Sequence, residues 1–119
     1  MKLRLLVADD EELARASIRK MIESLFDNFG EIAEVERGDE VVEKARDFHP
    51  DLVFVDVRMP GLNGLDAAAQ ILASRPGTRI VVVTAYDRFS LAQRAVNLGL
   101  DGYLLKRSSK KSSAGPSRR

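Results

Sequence analysis

Lys2 to Ala8 is a short apolar run that stops at Asp9-Asp10-Glu11-Glu12, as a buried strand does at the edge of its sheet. From Glu12 to Phe29 the residues Leu13, Ile18, Met21, Ile22, Leu25 and Phe29 fall at helical spacing, and Gly30 closes the segment. Ile32 to Glu36 alternates and predicts a second strand. Asp39 follows as an N-cap, with Val42, Ala45 and Phe48 on one face of a helix that Pro50 stops. The pattern then repeats. Leu52 to Val55 is apolar, ends in Asp56, and leads into the turn Met59-Pro60-Gly61-Leu62-Asn63-Gly64. Leu65, Ala68, Ala69 and Leu72 mark a third helix, ended by Arg75-Pro76-Gly77. Arg79 to Val83 is rich in β-branched residues and ends in Thr84. Phe89, Ala92, Ala95 and Val96 predict a fourth helix closed by Gly99, and Tyr103-Leu104-Leu105 a last strand ending in Lys106.

Continuous apolar strands that alternate with helices predict a parallel sheet covered on both faces, an α/β doubly wound domain. Right-handed crossovers bring the C-terminal ends of all the strands, and any active site, to one edge. Asp9, Asp10, Asp56, Thr84 and Lys106 each follow the last apolar residue of a strand, so all five are expected along that edge. After Lys106 the pattern stops. Residues 107–119 (RSSKKSSAGPSRR) hold one alanine as their only apolar residue, contain Pro116, and cannot form an amphipathic fifth helix. The division expected is a domain over 1–106 and a basic, Ser-rich tail over 107–119, a linker or a cloning remnant.

Composition narrows the chemistry. A chain of 119 residues suffices for one domain with its own core. It has no cysteine and a single histidine, His49, which removes disulfides, thiolate chemistry, His-based zinc sites and a Ser-His triad. His49 before Pro50 reads as a surface helix-end residue. No apolar run approaches the ~20 residues of a membrane span and no signal-peptide layout is present, so the cytoplasm is the expected location. The net charge of +1 hides an asymmetry: six of the 19 basic residues lie in 106–119, leaving 13 against 18 acids, about −5, in 1–105. An acidic body does not favour direct nucleic-acid binding, and the tail reads first as solvated.

Three carboxylates converging on one edge repel one another unless a cation lies between them. Hard oxygen donors without nitrogen or sulfur point to Mg²⁺. A carboxylate in such a cluster is a workable nucleophile toward a phosphoryl group, giving an aspartyl phosphate, with Lys106 as a point charge and Thr84 as a hydroxyl donor beside it. The bland readings are a solvated strand end or helix cap for Asp9 and Asp10, a plain strand terminus for Asp56 and Thr84, an exposed cation for Lys106 and a half-buried strand residue for Tyr103.

With these pieces together, the chain resembles the response-regulator receiver domains of two-component signal transduction. The resemblance rests on Asp9-Asp10, on Asp56-Val-Arg-Met-Pro-Gly-Leu-Asn-Gly, on Val83-Thr84-Ala85 and on Gly102-Tyr-Leu-Leu-Lys106, in order over residues 2–106. It implies a flavodoxin-like five-stranded sheet of order 2-1-3-4-5. It implies phosphorylation of Asp56 by a sensor histidine kinase or a small phosphodonor, with Mg²⁺ held by Asp10, by Asp9 largely through water, by Asp56 and by the backbone carbonyl of Arg58. Thr84 and Lys106 would grip the phosphoryl, Thr84 and Tyr103 would form the switch, and Arg58 and Tyr86 would tune hydrolysis. The run from Tyr86 to Gly99 is similar to regulators whose output domains bind DNA through helix-turn-helix modules, which implies control of transcription. Such a domain catalyses only its own phosphotransfer and slow autodephosphorylation, and is not a turnover enzyme.

Two departures stand out. The family usually has proline after the lysine, in a cis peptide; here Arg107 follows Lys106, and a cis bond there would cost roughly 2.5–4 kcal/mol, so trans is expected. The fifth helix is missing or replaced by the polar tail, and the apolar face this would uncover suggests a homodimer. Competing readings are an unphosphorylated scaffold or dimerisation module of the same fold and a haloacid-dehalogenase-type hydrolase. The latter wants an acid two residues after the nucleophile, where Arg58 stands, and a cap for which the chain is too short. A dinucleotide-binding reading fails because no Gly-rich loop follows the first strand.

Overall fold

In the computed structural model the residues described are 2–84, 99 and 101–105. Five strands, β1 (Leu3–Ala8), β2 (Phe29–Val35), β3 (Leu52–Asp56), β4 (Arg79–Thr84) and β5 (Gly102–Leu105), form one parallel sheet of order β2-β1-β3-β4-β5. Three described helices, α1 (Glu12–Leu25), α2 (Gly38–Phe48) and α3 (Gly64–Ser74), connect the first four strands. The expected α/β doubly wound topology is the observed one. The expectations for the fourth helix, for Tyr86, Lys106 and Arg107, for the tail and for the missing fifth helix with its dimer face lie outside the described residues, as does the side chain of Tyr103.

The strands read as unbroken apolar runs because alternate side chains enter two different cores. Leu5, Val7, Phe54 and Val83 pack with Ile18 and Ile22 of α1 on one face. Leu6, Ala8, Val53, Val55, Ile80 and Val82 pack with Val41, Ala45, Leu65, Ala68 and Ile71 of α2 and α3 on the other.

Several expected boundaries move. Phe29 continues the period of α1, yet α1 ends at Leu25 because Phe26 is extended (φ −118°, ψ 126°). Phe29 pairs with Leu3 instead, and the Leu3 N–H donates to the Asn28 carbonyl at 2.8 Å. A cross-strand ladder outweighs one more turn of a short helix. Strand β2 therefore starts three residues earlier than the alternation suggested, across a bulge opposite the Leu3–Leu5 step. The inward side of α1 is narrower than its apolar pattern, since Leu13 and Leu25 are 79% and 68% exposed. Asp39 is not the N-cap of α2: the helix begins at Gly38 with Arg37 in the cap position, and the Asp39 carboxylate pairs with the Arg37 guanidinium at 3.0 Å. The buried stripe of α2 is Gly38, Val41 and Ala45, with Val42 and Phe48 half-buried. Arg4 lies over the Phe48 ring at 4.1 Å, which explains how that residue sits at the rim of the core. In α3 the buried set is Gly64, Leu65, Ala67, Ala68 and Ile71, while Ala69 and Leu72 are half-buried.

The contrast within α1 gives a stability test. Ile22 is fully buried, so Ile22→Ala should lower the unfolding free energy by about 2–5 kcal/mol. Leu25→Ala should change it by less than about 0.5 kcal/mol. Urea midpoints at constant m-value read both.

Candidate functional site

The parallel register decides which polar residues meet. Ala8 lies opposite Val35 on one side and Val55 on the other, so Asp9 and Asp56 leave adjacent strands at the same height. Asp56 in turn lies opposite Val83 of β4, and Thr84 opposite Leu105 of β5. Asp9 is fully buried, Asp56 is 5% exposed, Thr84 is 1% exposed, and Asp10 projects toward solvent. One carboxylate oxygen from each of Asp9, Asp10 and Asp56 lies within 4.8 Å of the others.

The turn that carries the first two acids is fixed by its backbone. The Asp9 N–H donates to the Val35 carbonyl at 3.1 Å, and Asp9 Oδ1 accepts from the Glu11 N–H at 2.9 Å. That second bond occupies one of the orphan donors at the start of α1. Arg15, one turn into the helix, donates through Nη1 to the Asp9 carbonyl at 2.8 Å.

The loop after Asp56 is held as closely. The Val57 N–H extends the ladder to the Val83 carbonyl at 3.1 Å, and the Gly64 N–H turns back to the Val57 carbonyl at 2.8 Å. Asn63 caps α3 by accepting from the Asp66 N–H at 2.9 Å. A Cβ at Gly64 would lie 2.0 Å from the Asp56 carbonyl oxygen, so only glycine lets the helix start this near the carboxylate. Gly38 serves the same loop from outside: its N–H donates to the Pro60 carbonyl at 3.0 Å, and a Cβ there would overlap the Leu62 carbonyl oxygen at 1.5 Å. Arg58, with its side chain exposed, is the second residue of this loop.

Thus Asp9, Asp10 and Asp56 meet, and Thr84 ends the strand beside Asp56. Tyr103 pairs with Val82 through the β4–β5 ladder. Lys106 and Tyr86 are outside the described residues. Arg15, Asn63 and Gly38 were not singled out from the sequence. The Asn63-Gly-Leu-Asp66 spacing is a readable cap signal, whereas the roles of Arg15 and Gly38 depend on neighbours distant in the chain.

With both carboxylates of the buried Asp9–Asp56 pair ionised, their repulsion is on the order of 3–4 kcal/mol at an effective dielectric constant of about 20. The donors are carboxylate oxygens alone, with neither nitrogen nor sulfur, and one of them is open to solvent. That set fits a small hard cation that keeps part of its water shell, Mg²⁺ above all. A groove of about 460 Å³ between α2 and α3, lined by Asp39, Glu43, Arg46 and Leu62 among others, shares none of these acids.

Two outcomes follow from this geometry. Gly64→Ala should lower the unfolding free energy by about 1–3 kcal/mol, because the Asp56 carbonyl must move. Gly77→Ala, where a Cβ would meet nothing within 4 Å, should stay within about 0.5 kcal/mol, with urea unfolding as the measure. Mg²⁺ at 100 times its Kd should stabilise the protein by about 2.7 kcal/mol. Asp10→Asn should lose that gain while unfolding no more easily than the parent in EDTA, since it removes a like charge.

The comparisons with known proteins agree with this geometry. Residues 5–113 match the family model described as the response regulator receiver domain. The chain is 36% identical over 104 residues to the response regulator GacA of Pseudomonas viridiflava, covering 87% of this chain and 48% of that protein. It is 37% identical over 105 residues to a nitrate/nitrite response regulator protein homolog of Haemophilus influenzae, covering 88% and 50%. It therefore spans about half the length of these curated relatives. Among solved structures, the REC domain of AraT, a response regulator from Geobacillus stearothermophilus, superimposes with a TM-score of 0.81 at 40% identity, over 89% of this chain and 82% of that one. A DNA-binding response regulator of the LuxR family from Staphylococcus aureus does so at 0.80 and 28%, over 89% and 88%. A parallel sheet with its acids gathered at one edge, and a family match over most of its length, make this chain a member of the response-regulator receiver-domain family.

Proposed function

We propose that the chain is a phosphorylation-dependent signalling switch in which Asp56 accepts the phosphoryl group. The observation that carries this reading is the meeting of Asp9, Asp10 and Asp56 within 4.8 Å at the C-terminal edge of the sheet. An Asp56 carboxylate oxygen attacks phosphorus, and the bond from phosphorus to the donor breaks. The donor is a phosphohistidine of a sensor histidine kinase or a small acyl phosphate, and its leaving group departs with the electron pair. Asp9, Asp10, Asp56 and the Arg58 carbonyl would hold Mg²⁺, which when bound would offset the negative charge of carboxylates and phosphoryl oxygens. Asp9, buried and bonded to the Glu11 N–H, would be the fixed wall of that site, and the exposed Asp10 its solvent side. Thr84 donates its hydroxyl to the bound phosphoryl, and Lys106 supplies a point charge from the end of β5.

The added charge draws Thr84 inward, Tyr103 follows, and the surface beyond β4 and β5 changes its partners. Arg58 and Tyr86 tune how long the acyl phosphate lasts. On this reading the receiver domain spans 1–106, and 107–119 is a basic, Ser-rich tail, a linker or a cloning remnant. Relatives bearing names such as transcriptional regulatory protein support an output that acts on transcription through a DNA-binding domain in the full-length protein. No described helix is long and apolar enough to cross a membrane, which is consistent with a cytoplasmic switch. The receiver itself does not bind nucleic acid and turns over no external substrate.

Intact mass after incubation with acetyl phosphate and Mg²⁺ tests the reading. One phosphoryl should be added, and none with Asp56→Asn or with EDTA. A folded protein that takes up no phosphoryl would sink the switch and leave a receiver fold used as a scaffold.

A further inference from the structure

The Arg15 side chain hydrogen-bonds the backbone of the Asp9–Asp10 turn. Its side chain is only 11% exposed, low for a guanidinium near the start of a surface helix. Nε donates to Glu34 Oε1 at 2.9 Å, Nη1 to the Asp9 carbonyl at 2.8 Å, and Nη2 is 3.7 Å from Glu36 Oε2. Glu34 is itself held on its other oxygen, which accepts from Arg19 at 3.1 Å. The planar fork is therefore fixed between the end of β2 and the turn after β1.

The carbonyl it holds belongs to the peptide that joins Asp9 to Asp10. The Asp9 N–H is tied to Val35 and Asp9 Oδ1 to the Glu11 N–H, so Arg15 fixes the remaining backbone direction between the two acids. We infer that Arg15 is a positioning residue for the metal site, acting through the Asp9–Asp10 peptide, and that β2 reaches the site through it. The inference rests on the reading of Asp9, Asp10 and Asp56 as Mg²⁺ ligands.

Charge and positioning predict opposite signs here. A cation beside a cation site repels the metal, and its removal would leave Glu34 and Glu36 uncompensated, so a purely electrostatic Arg15 would weaken Mg²⁺ binding and its loss would tighten it. A positioning Arg15 does the reverse, as outer contacts to metal ligands do, typically by about 10- to 100-fold.

Mg²⁺ affinity of the full chain is measured by calorimetry at fixed ionic strength for the parent, Arg15→Ala, Arg15→Lys and Arg19→Ala. Arg19 shares Glu34 but has no described bond to the turn, so its loss should leave the affinity unchanged. Arg15→Ala should weaken binding by about 10- to 100-fold, and Arg15→Lys by less, because one ammonium replaces some but not all of the guanidinium's contacts to the Asp9 carbonyl and both glutamates. In acetyl phosphate labelling, the Mg²⁺ concentration giving half the rate should rise by the same factor while the plateau rate stays. Unchanged or tighter binding in Arg15→Ala, or equal weakening in Arg19→Ala, overturns the proposal. If Arg15→Ala does not fold, Arg15→Lys carries the test in the same direction. A parent protein that binds no Mg²⁺ would instead refute the metal reading on which the inference rests.

Discussion

The register between β1 and β3 is the constraint on which the rest depends. Ala8 opposite Val55 puts Asp9 and Asp56 on neighbouring strands, one step past the last apolar pair. A shift of one residue would send Leu5 and Val7 to the α2–α3 face and Leu6 and Ala8 to the α1 face, so both cores would have to repack. Apolar packing thus enforces the juxtaposition of two buried carboxylates that would repel one another if left to themselves. The energy that holds the acids together is spread along the apolar side chains of the strands that carry them.

Around that register the structure removes freedom from the two loops that bear the acids. Val35, Glu11 and Arg15 hold the turn after β1. Gly64 and Gly38 let α3 and α2 approach the loop after β3 to distances that any side chain would forbid. A cation site built of hard oxygens gains affinity when its ligands need little rearrangement on binding, and these contacts supply that order before any metal arrives. The open side is Asp10, as suits a cation that keeps some of its water.

Much of this was legible along the chain. Strands β1, β3, β4 and β5 were visible as apolar runs ending in a polar residue and β2 as an alternating segment, and the three acids were visible as strand termini. What misled was local pattern taken alone. Phe29 fits the period of α1 but is claimed by the ladder with Leu3. Asp39 has the chemistry of a cap, yet the helix already begins at Gly38, where the Leu62 carbonyl leaves no room for a side chain. Leu13 and Leu25 complete an apolar stripe by spacing, yet both stay exposed.

The order of strands and helices, the sheet class and the identity of the three acids were determined by the sequence itself, because burial on two faces imposes a period that residues must obey. The tertiary structure alone decided which helix residues face inward, where α1 gives way to β2, and that a guanidinium from α1 meets both the Asp9 carbonyl and two glutamates at the end of β2. Those outcomes depend on contacts between different elements, such as Arg15 of α1 and Glu34 of β2, 19 residues apart. Periodicity speaks of one segment's two sides, whereas contact requires knowing what lies across from them.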